Sequence, residues 1–297
     1  MGAKDTEVRS ESTRVEETDM PEAISMERTR SSPAASALFN AGRALFALAI
    51  IGLGVETWFC ARSVGHSLGP QYNVIPAIPW LPAIPWVAYL FGTIWVACGA
   101  GLLSRRTLRA AAMTLGGLLF LCAFTLDVPK YVVDLANISL RTTAFEPLSL
   151  ASLAWLLAGR DAIPSLLARL SRLVLGLAFV VFGVDHFLAL AFIANLLPKW
   201  IPWHVFWIAF FGVVFIAGGV SIALNFLQRW GAFGTGLMFG TWVVTLHLPR
   251  VLGLYGIPGE PDNPNEWSSL LIALGLWGGL WAIAGMPATS SRTGMAS

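Results

Sequence analysis

The sequence predicts an all-α integral membrane protein: eight transmembrane helices in two parallel four-helix repeats, with the N and C termini cytoplasmic. Three observations carry that prediction. The 297-residue chain is 56% hydrophobic and only 12% charged, about half the charged share of a soluble domain. Its apolar residues fall into runs near 42–60, 86–104, 110–127, 146–159, 173–195, 204–226, 230–248 and 267–285. Most of these reach the ~20 helical residues that a hydrocarbon core requires. The polar interruptions also recur, since Thr245-Leu-His247-Leu-Pro249-Arg250 repeats Thr125-Leu-Asp127-Val-Pro129-Lys130 at an offset of 120 (245 − 125).

Residues 1–37 mix Glu, Arg, Ser and Thr with few large apolar side chains. Such a segment cannot bury enough surface to fold alone, and it is read as a disordered cytoplasmic tail. The first apolar run comes too late for a signal peptide. The first four-helix repeat covers 38–159, and its short run at 146–159 is expected to begin near Arg141. A linker at 160–171 leads to the second repeat at 172–285, and 286–297 form a second disordered tail. Lys and Arg set the orientation. Arg28, Arg30, Arg43, Arg105, Arg106, Arg109, Arg160, Arg169, Arg172, Arg229 and Arg292 fall on one side, against Arg62, Lys130, Arg141, Lys199 and Arg250 on the other, 11 against 5. The richer side is the cytoplasmic one, in keeping with a bacterial inner membrane.

The halves match residue by residue. Arg43, Gly54 and Glu56 correspond to Arg172, Gly183 and Asp185 at an offset of 129. From Trp80 onward the offset is 120: Trp80-Leu81-Pro82 with Trp200-Ile201-Pro202, Gly92 and Gly99 with Gly212 and Gly219, Gly116 with Gly236, and Glu146 with Glu266. The first copy therefore carries nine more residues (129 − 120) in the loop after its first span. A register held through Trp, Pro and Glu indicates tandem duplication. An even number of spans per copy makes the repeats parallel, as in one class of transporter.

Within each copy an Arg opens the first span, a Gly-x-[Asp/Glu]-[His/Thr] closes it, and a Trp/Pro-rich segment leads into a Gly-x6-Gly span. This pattern resembles the DoxX-like family of four-helix membrane proteins, and the second copy, with Gly183-Val184-Asp185-His186, is the better match. The resemblance covers about 38–285 as two units. It implies the four-helix fold. It also implies an association with membrane redox complexes and quinone-dependent sulfur oxidation, although most members have no assigned activity.

The polar residues within the apolar runs are the candidate site. Asp185 lies 13 residues after Arg172, ~20 Å along a helix. The alternating spans then bring Asp185, His186, His247, Arg250 and Glu266 to a similar depth near the outer leaflet, expected around one cavity. In the first copy Glu56, Thr57, Asp127, Lys130 and Glu146 do the same. Ionisable groups inside a membrane usually face a bundle interior and pair with one another. They could equally tie helix ends together as interfacial charges. Pro129 and Pro249 remove an N–H and are expected to free the carbonyl four residues back, at Thr125 or Thr245. Only histidine exchanges protons near neutral pH without a large shift. The second copy is therefore the candidate catalytic half, with His186 or His247 as general acid or base and Asp185 or Glu266 orienting it. Arg250 would hold an anion or a carbonyl oxygen. Ligand-binding positions are Arg250, Glu56, Asp127, Lys130, Glu146, Trp200 and Trp203. The Trp/Pro stretches 80–86 and 199–204 read as an interfacial aromatic belt or as a lid over the polar cluster.

Several chemistries are disfavoured. A net charge of +2 without a clustered basic face gives no nucleic-acid surface. Cys60, Cys98 and Cys122 form no CxxC, so no dithiol redox site is expected. His186, His247 and a carboxylate could ligate a metal, but no recognised spacing supports one, and none is expected. The leading functional expectation is a redox-associated component binding a quinone-like or other small lipophilic ligand. Partner redox subunits in the lipid bilayer would supply any electrons. The alternatives are a non-redox transporter or membrane-protein scaffold, and an acid–base enzyme of isomerase type acting on a lipid-soluble substrate.

Overall fold

Backbone polar groups in lipid have no water to bond, so an apolar chain satisfies them within helices. In a computed structural model, which describes residues 32–63, 85–159, 165–254 and 264–286, every regular element is helical. Among the described residues the helices are α1 (Pro33–Ser63), α2 (Pro85–Leu103), α3 (Leu108–Val133), α4 (Ile138–Leu157), α5 (Ser165–Leu188), α6 (Leu190–Leu196), α7 (His204–Ala223), α8 (228–251) and α9 (Pro264–Gly285). Five segments are long and apolar enough to cross a membrane: Pro33–Phe59, Leu108–Val133, Leu166–Leu188, His204–Ala223 and Glu266–Gly285. Ala88–Leu103 is a shorter apolar helix. The outward faces are apolar too, with Leu48, Leu121, Phe124, Leu177, Phe210 and Val244 all exposed. Surface of that extent is stable against lipid rather than water, and the chain is a membrane protein.

Element boundaries depart from the sequence reading at four places. Helix α1 starts at Pro33 rather than 38, since proline suits a first helical position and Ala34-Ala35-Ser36-Ala37 continue the helix. Residues 165–171 of the expected linker already belong to α5, because Leu166, Leu167 and Leu170 extend its apolar pattern. Helix α4 begins at Ile138, ahead of Arg141, where the Asn137 side chain accepts a bond from the Leu140 N–H, an N-cap. The run 173–195 is interrupted at Ala189, beyond which the chain resumes as the short α6. Trp80-Leu81-Pro82, the nine-residue insertion, residues 287–297 of the C-terminal tail and most of the N-terminal tail lie outside the described residues.

Consecutive helices pack in order: α1 on α2, α2 on α3, α3 on α4, α4 on α5, α5 on α7, α7 on α8 and α8 on α9. Helix α9 then returns against α1, and it also touches α4 across the ring this closes. The tightest approaches rest on glycine pairs. A Cβ on Gly54 would lie 2.6 Å from the Gly92 carbonyl oxygen in the α1–α2 contact, and one on Gly183 would lie 2.7 Å from the Gly212 carbonyl oxygen in α5–α7. At the α1–α9 seam a Cβ on Gly42 would meet the Gly278 carbonyl oxygen at 2.6 Å. Backbones this close gain dispersion contact over their whole length.

Candidate functional site

Pro129 and Pro249 impose the local geometry of the site. Proline inside a helix removes one donor and crowds the preceding turn. Here the chain absorbs it with one π-helical turn in each half, Ala123–Asp127 in α3 and Val243–His247 in α8. The Val128 N–H reaches the Ala123 carbonyl and the Leu248 N–H reaches Val243, each five residues back. Thr125 and Thr245, whose carbonyls the prolines are expected to free, lie within these two turns. The threonines bond through their hydroxyls instead, Thr125 Oγ1 to the Leu121 carbonyl and Thr245 Oγ1 to the Thr241 carbonyl, both at 2.7 Å. One inserted residue rotates the remainder of each helix by about 100°. Asp127 ends up only 2% exposed, and His247 is half-buried.

Four polar groupings lie at four different helix interfaces. Between α8 and α9, Arg250 Nε donates to Glu266 Oε2 at 2.7 Å while Nη2 bonds Oε1. This is the two-pronged arginine–carboxylate fork. His247 stands within electrostatic range of both partners. Arg250 Nη1 is buried and has no partner. Between α3 and α4, Asp127 lies within electrostatic range of Lys130, Glu146 and Cys122, and its Oδ1 is buried without a partner. Between α4 and α5, Arg141 Nε donates to Asp185 Oδ1 at 2.8 Å, Nη2 reaches the same oxygen, and Thr142 Oγ1 lies 3.4 Å from Oδ2. Between α9 and α1, Ser268 Oγ donates to Glu56 Oε1 at 2.6 Å.

Of the five residues expected around one cavity, four divide between two of these contacts and His186 joins neither. Arg250, Glu266 and His247 come together. Asp185 is held from the first half, by Arg141. His186 bonds through Nδ1 to the Phe182 carbonyl at 2.8 Å, and its ring lies 5.0 Å from that of Phe215. A carbonyl only accepts, so Nδ1 carries the proton and Nε2 is the basic nitrogen. The ring is thus oriented by backbone and an aromatic neighbour rather than by Asp185 or Glu266. Thr57 donates to the Leu53 carbonyl of its own helix at 2.7 Å. Trp200 and Trp203 are 60% and 77% exposed. Trp203 caps α7 in the left-handed conformation, φ 57°, and the two side chains project outward as interfacial aromatics do.

Sequence reasoning missed Arg141, Thr142 and Ser268 as partners of the buried acids. Arg141 stood among the five basic residues on the charge-poor side, which was its one signal. Thr142 and Ser268 were hidden by the register. Trp155 covers Gly116 and Trp281 covers Gly236, while Thr142 meets Asp185 and Ser268 meets Glu56. In α4 and α9 these equivalences run at 126 (281 − 155 and 268 − 142), not 120. Glu146 and Glu266, which align at 120, do not share the 126 spacing of these packing pairs. Glu266 lies in the first turn of α9, and Glu146 sits six residues deeper in α4, ~9 Å along the axis.

Paired and half-paired polar groups at helix breaks, enclosed by apolar helices, define a polytopic helical membrane protein with polar sites inside its bundle. No family model, no curated protein and no solved structure matches the chain. Among the described residues, no three His, Cys, Asp or Glu side chains are grouped so as to hold a metal ion.

Proposed function

We propose that the chain is a tandemly duplicated, eight-span protein of the bacterial cell membrane, resembling the DoxX-like family, with both termini cytoplasmic. In this reading α1–α4 and α5–α9 are the two copies. Support comes from the shared π turns, from the Gly54–Gly92 and Gly183–Gly212 approaches at matching positions, and from the Trp that covers Gly116 and Gly236 in turn. Its role is that of a redox-associated component whose second copy binds a quinone-like or other small lipophilic ligand near the outer leaflet.

One observation carries the ligand reading: Arg250 Nη1, a buried N–H donor with no acceptor. A buried unpaired donor costs about 1–3 kcal/mol, more in a cationic group. Glu266 holds the other edge of the guanidinium, so the fork is fixed in place, with His247 within electrostatic range of it. A lipid-soluble molecule with a carbonyl oxygen would supply the missing acceptor, and His247 offers a second polar contact. Apolar helix surface would hold the hydrocarbon part, as in most small-molecule sites.

The test is mass spectrometry of small molecules that remain on the protein after purification in lipid nanodiscs. A quinone or similar carbonyl compound is expected on the wild type. It should be lost from Arg250→Lys, which keeps the charge but not the planar fork. If the wild type retains phospholipid alone, the ligand reading is wrong. If Arg250→Lys retains the compound as well as wild type does, the site lies elsewhere.

A further inference from the structure

The first half holds a different polar arrangement at the same helix break. Asp127, at the end of the π turn of α3, is 2% exposed, and its Oδ1 has no hydrogen-bond partner. Glu146, on the facing helix α4, lies within electrostatic range of it. Lys130, one turn beyond Asp127, is the cation in range of that aspartate. The other titratable groups on these two helices are Arg109, in the first turn of α3, and Cys122, Tyr131 and Arg141, and Arg141 is engaged by Asp185 and Tyr131. Helices α5 and α9 also pack on α4 and bring Asp185, His186 and Glu266. Asp185 and Glu266 are each held by an arginine, and His186 by the Phe182 carbonyl.

We infer that Asp127 and Glu146 form a proton-holding carboxyl pair in which Glu146 carries the proton and donates it to Asp127. Two ionised carboxylates within range of each other in a low-dielectric setting repel strongly, and one of them takes up a proton. Lys130 decides which keeps the charge, because it stands in range of Asp127. A protonated Glu146 also supplies the O–H donor that the orphaned Asp127 Oδ1 lacks, removing the penalty of an unpaired buried acceptor. The pair gives the first half a reversible proton site inside the membrane, independent of any ligand bound at Arg250.

The test uses dicyclohexylcarbodiimide, an apolar reagent that adds to protonated carboxyl groups. The full-length protein in phosphatidylcholine nanodiscs is treated near neutral pH, digested, and its modified peptides quantified. Glu146 is expected to be labelled, with Asp185 and Glu266, whose oxygens are engaged by Arg141 and Arg250, labelled about tenfold less. Labelling of Glu146 should fall as pH is raised and the proton leaves. In Glu146→Gln the label should be lost rather than move to Asp127, beside which Lys130 favours the carboxylate. The inference is overturned if Glu146 is no more reactive than Asp185. It is also overturned if Glu146→Gln transfers the label to Asp127 in full. Excess sodium ion that protects Glu146 at fixed pH would show a cation site instead of a proton site, likewise overturning it.

Discussion

The two halves solve one problem in two ways. Each has a π turn next to a proline, and each must neutralise acid near that break. In the second half Arg250 forks onto Glu266, and charge meets charge at the start of α9. In the first half Asp127 and Glu146 lie within electrostatic range of each other, with a lysine in range of the aspartate. Position accounts for the difference. A carboxylate in the first turn of a helix can be reached by an arginine one turn past the break. Six residues further in, Glu146 is within range of Asp127 instead. A guanidinium holds its charge at any physiological pH, whereas a carboxyl pair exchanges a proton. The second half therefore keeps a fixed polar anchor, and the first half keeps a titratable one.

Removing the arginines should separate the halves most sharply. Breaking a buried pair by deleting one partner costs roughly 3–5 kcal/mol, because the other charge is left uncompensated. Arg250→Ala is expected to lose that much in detergent-induced unfolding, and Arg141→Ala about as much, since Asp185 is only 5% exposed. Lys130→Ala should lose roughly 1 kcal/mol, the range of a single unforked contact, because a pair that already carries a proton presents less net charge. Equal losses from Arg250→Ala and Lys130→Ala would mean the two breaks are neutralised in the same way.

A smaller effect distinguishes the two seams between the halves. At α1–α9 any Cβ on Gly42 would lie 2.3 Å from the Ala282 main-chain nitrogen, and backbone cannot give way as a side-chain tip can. Gly42→Ala should cost about 1–3 kcal/mol, the usual range for overpacking. At the sequence offset of 129, Gly42 aligns with Ser171 (42 + 129), whose hydroxyl bonds the Leu167 carbonyl of its own helix. Ser171→Ala should be close to neutral by the same unfolding measurement. If both changes are neutral, the glycine seam is looser than its spacing indicates.

How far the sequence could be read depends on what each residue answers to. The membrane class, most helix positions and the two breaks were legible, because apolar length and proline act locally. The π turns were not: nothing in Ala123-Phe-Thr-Leu-Asp127 distinguishes an i−5 from an i−4 bond except the proline beyond it. The partners of Asp185 and Glu56 were also hidden. Arg141 and Ser268 come from helices far along the chain, and whether α4 and α9 match at 120 or 126 depends on where Trp155 and Trp281 land on their glycines. Glu146 and Glu266 fit the 120 register by letter alone. Packing of large side chains, not identity of charged ones, sets the register of those helices.

The smallest predicted contrast lies in the hydroxyls at those two seams. Ser268 Oγ is 2.6 Å from Glu56 Oε1, whereas Thr142 Oγ1 is 3.4 Å from Asp185 Oδ2, on a carboxylate already held by Arg141. Short donation to a carboxyl group with no arginine should matter more than long donation to one that has an arginine. Ser268→Ala is expected to cost about 1–2 kcal/mol, the penalty of leaving a buried acceptor unpaired. Thr142→Ala should cost under about 0.5 kcal/mol, within the range of changes that break no defined feature. The same unfolding titration reads both. A larger loss from Thr142→Ala would mean that the Arg141–Asp185 pair depends on its threonine for geometry. The α4–α5 seam would then resemble the serine-closed α9–α1 seam rather than contrast with it.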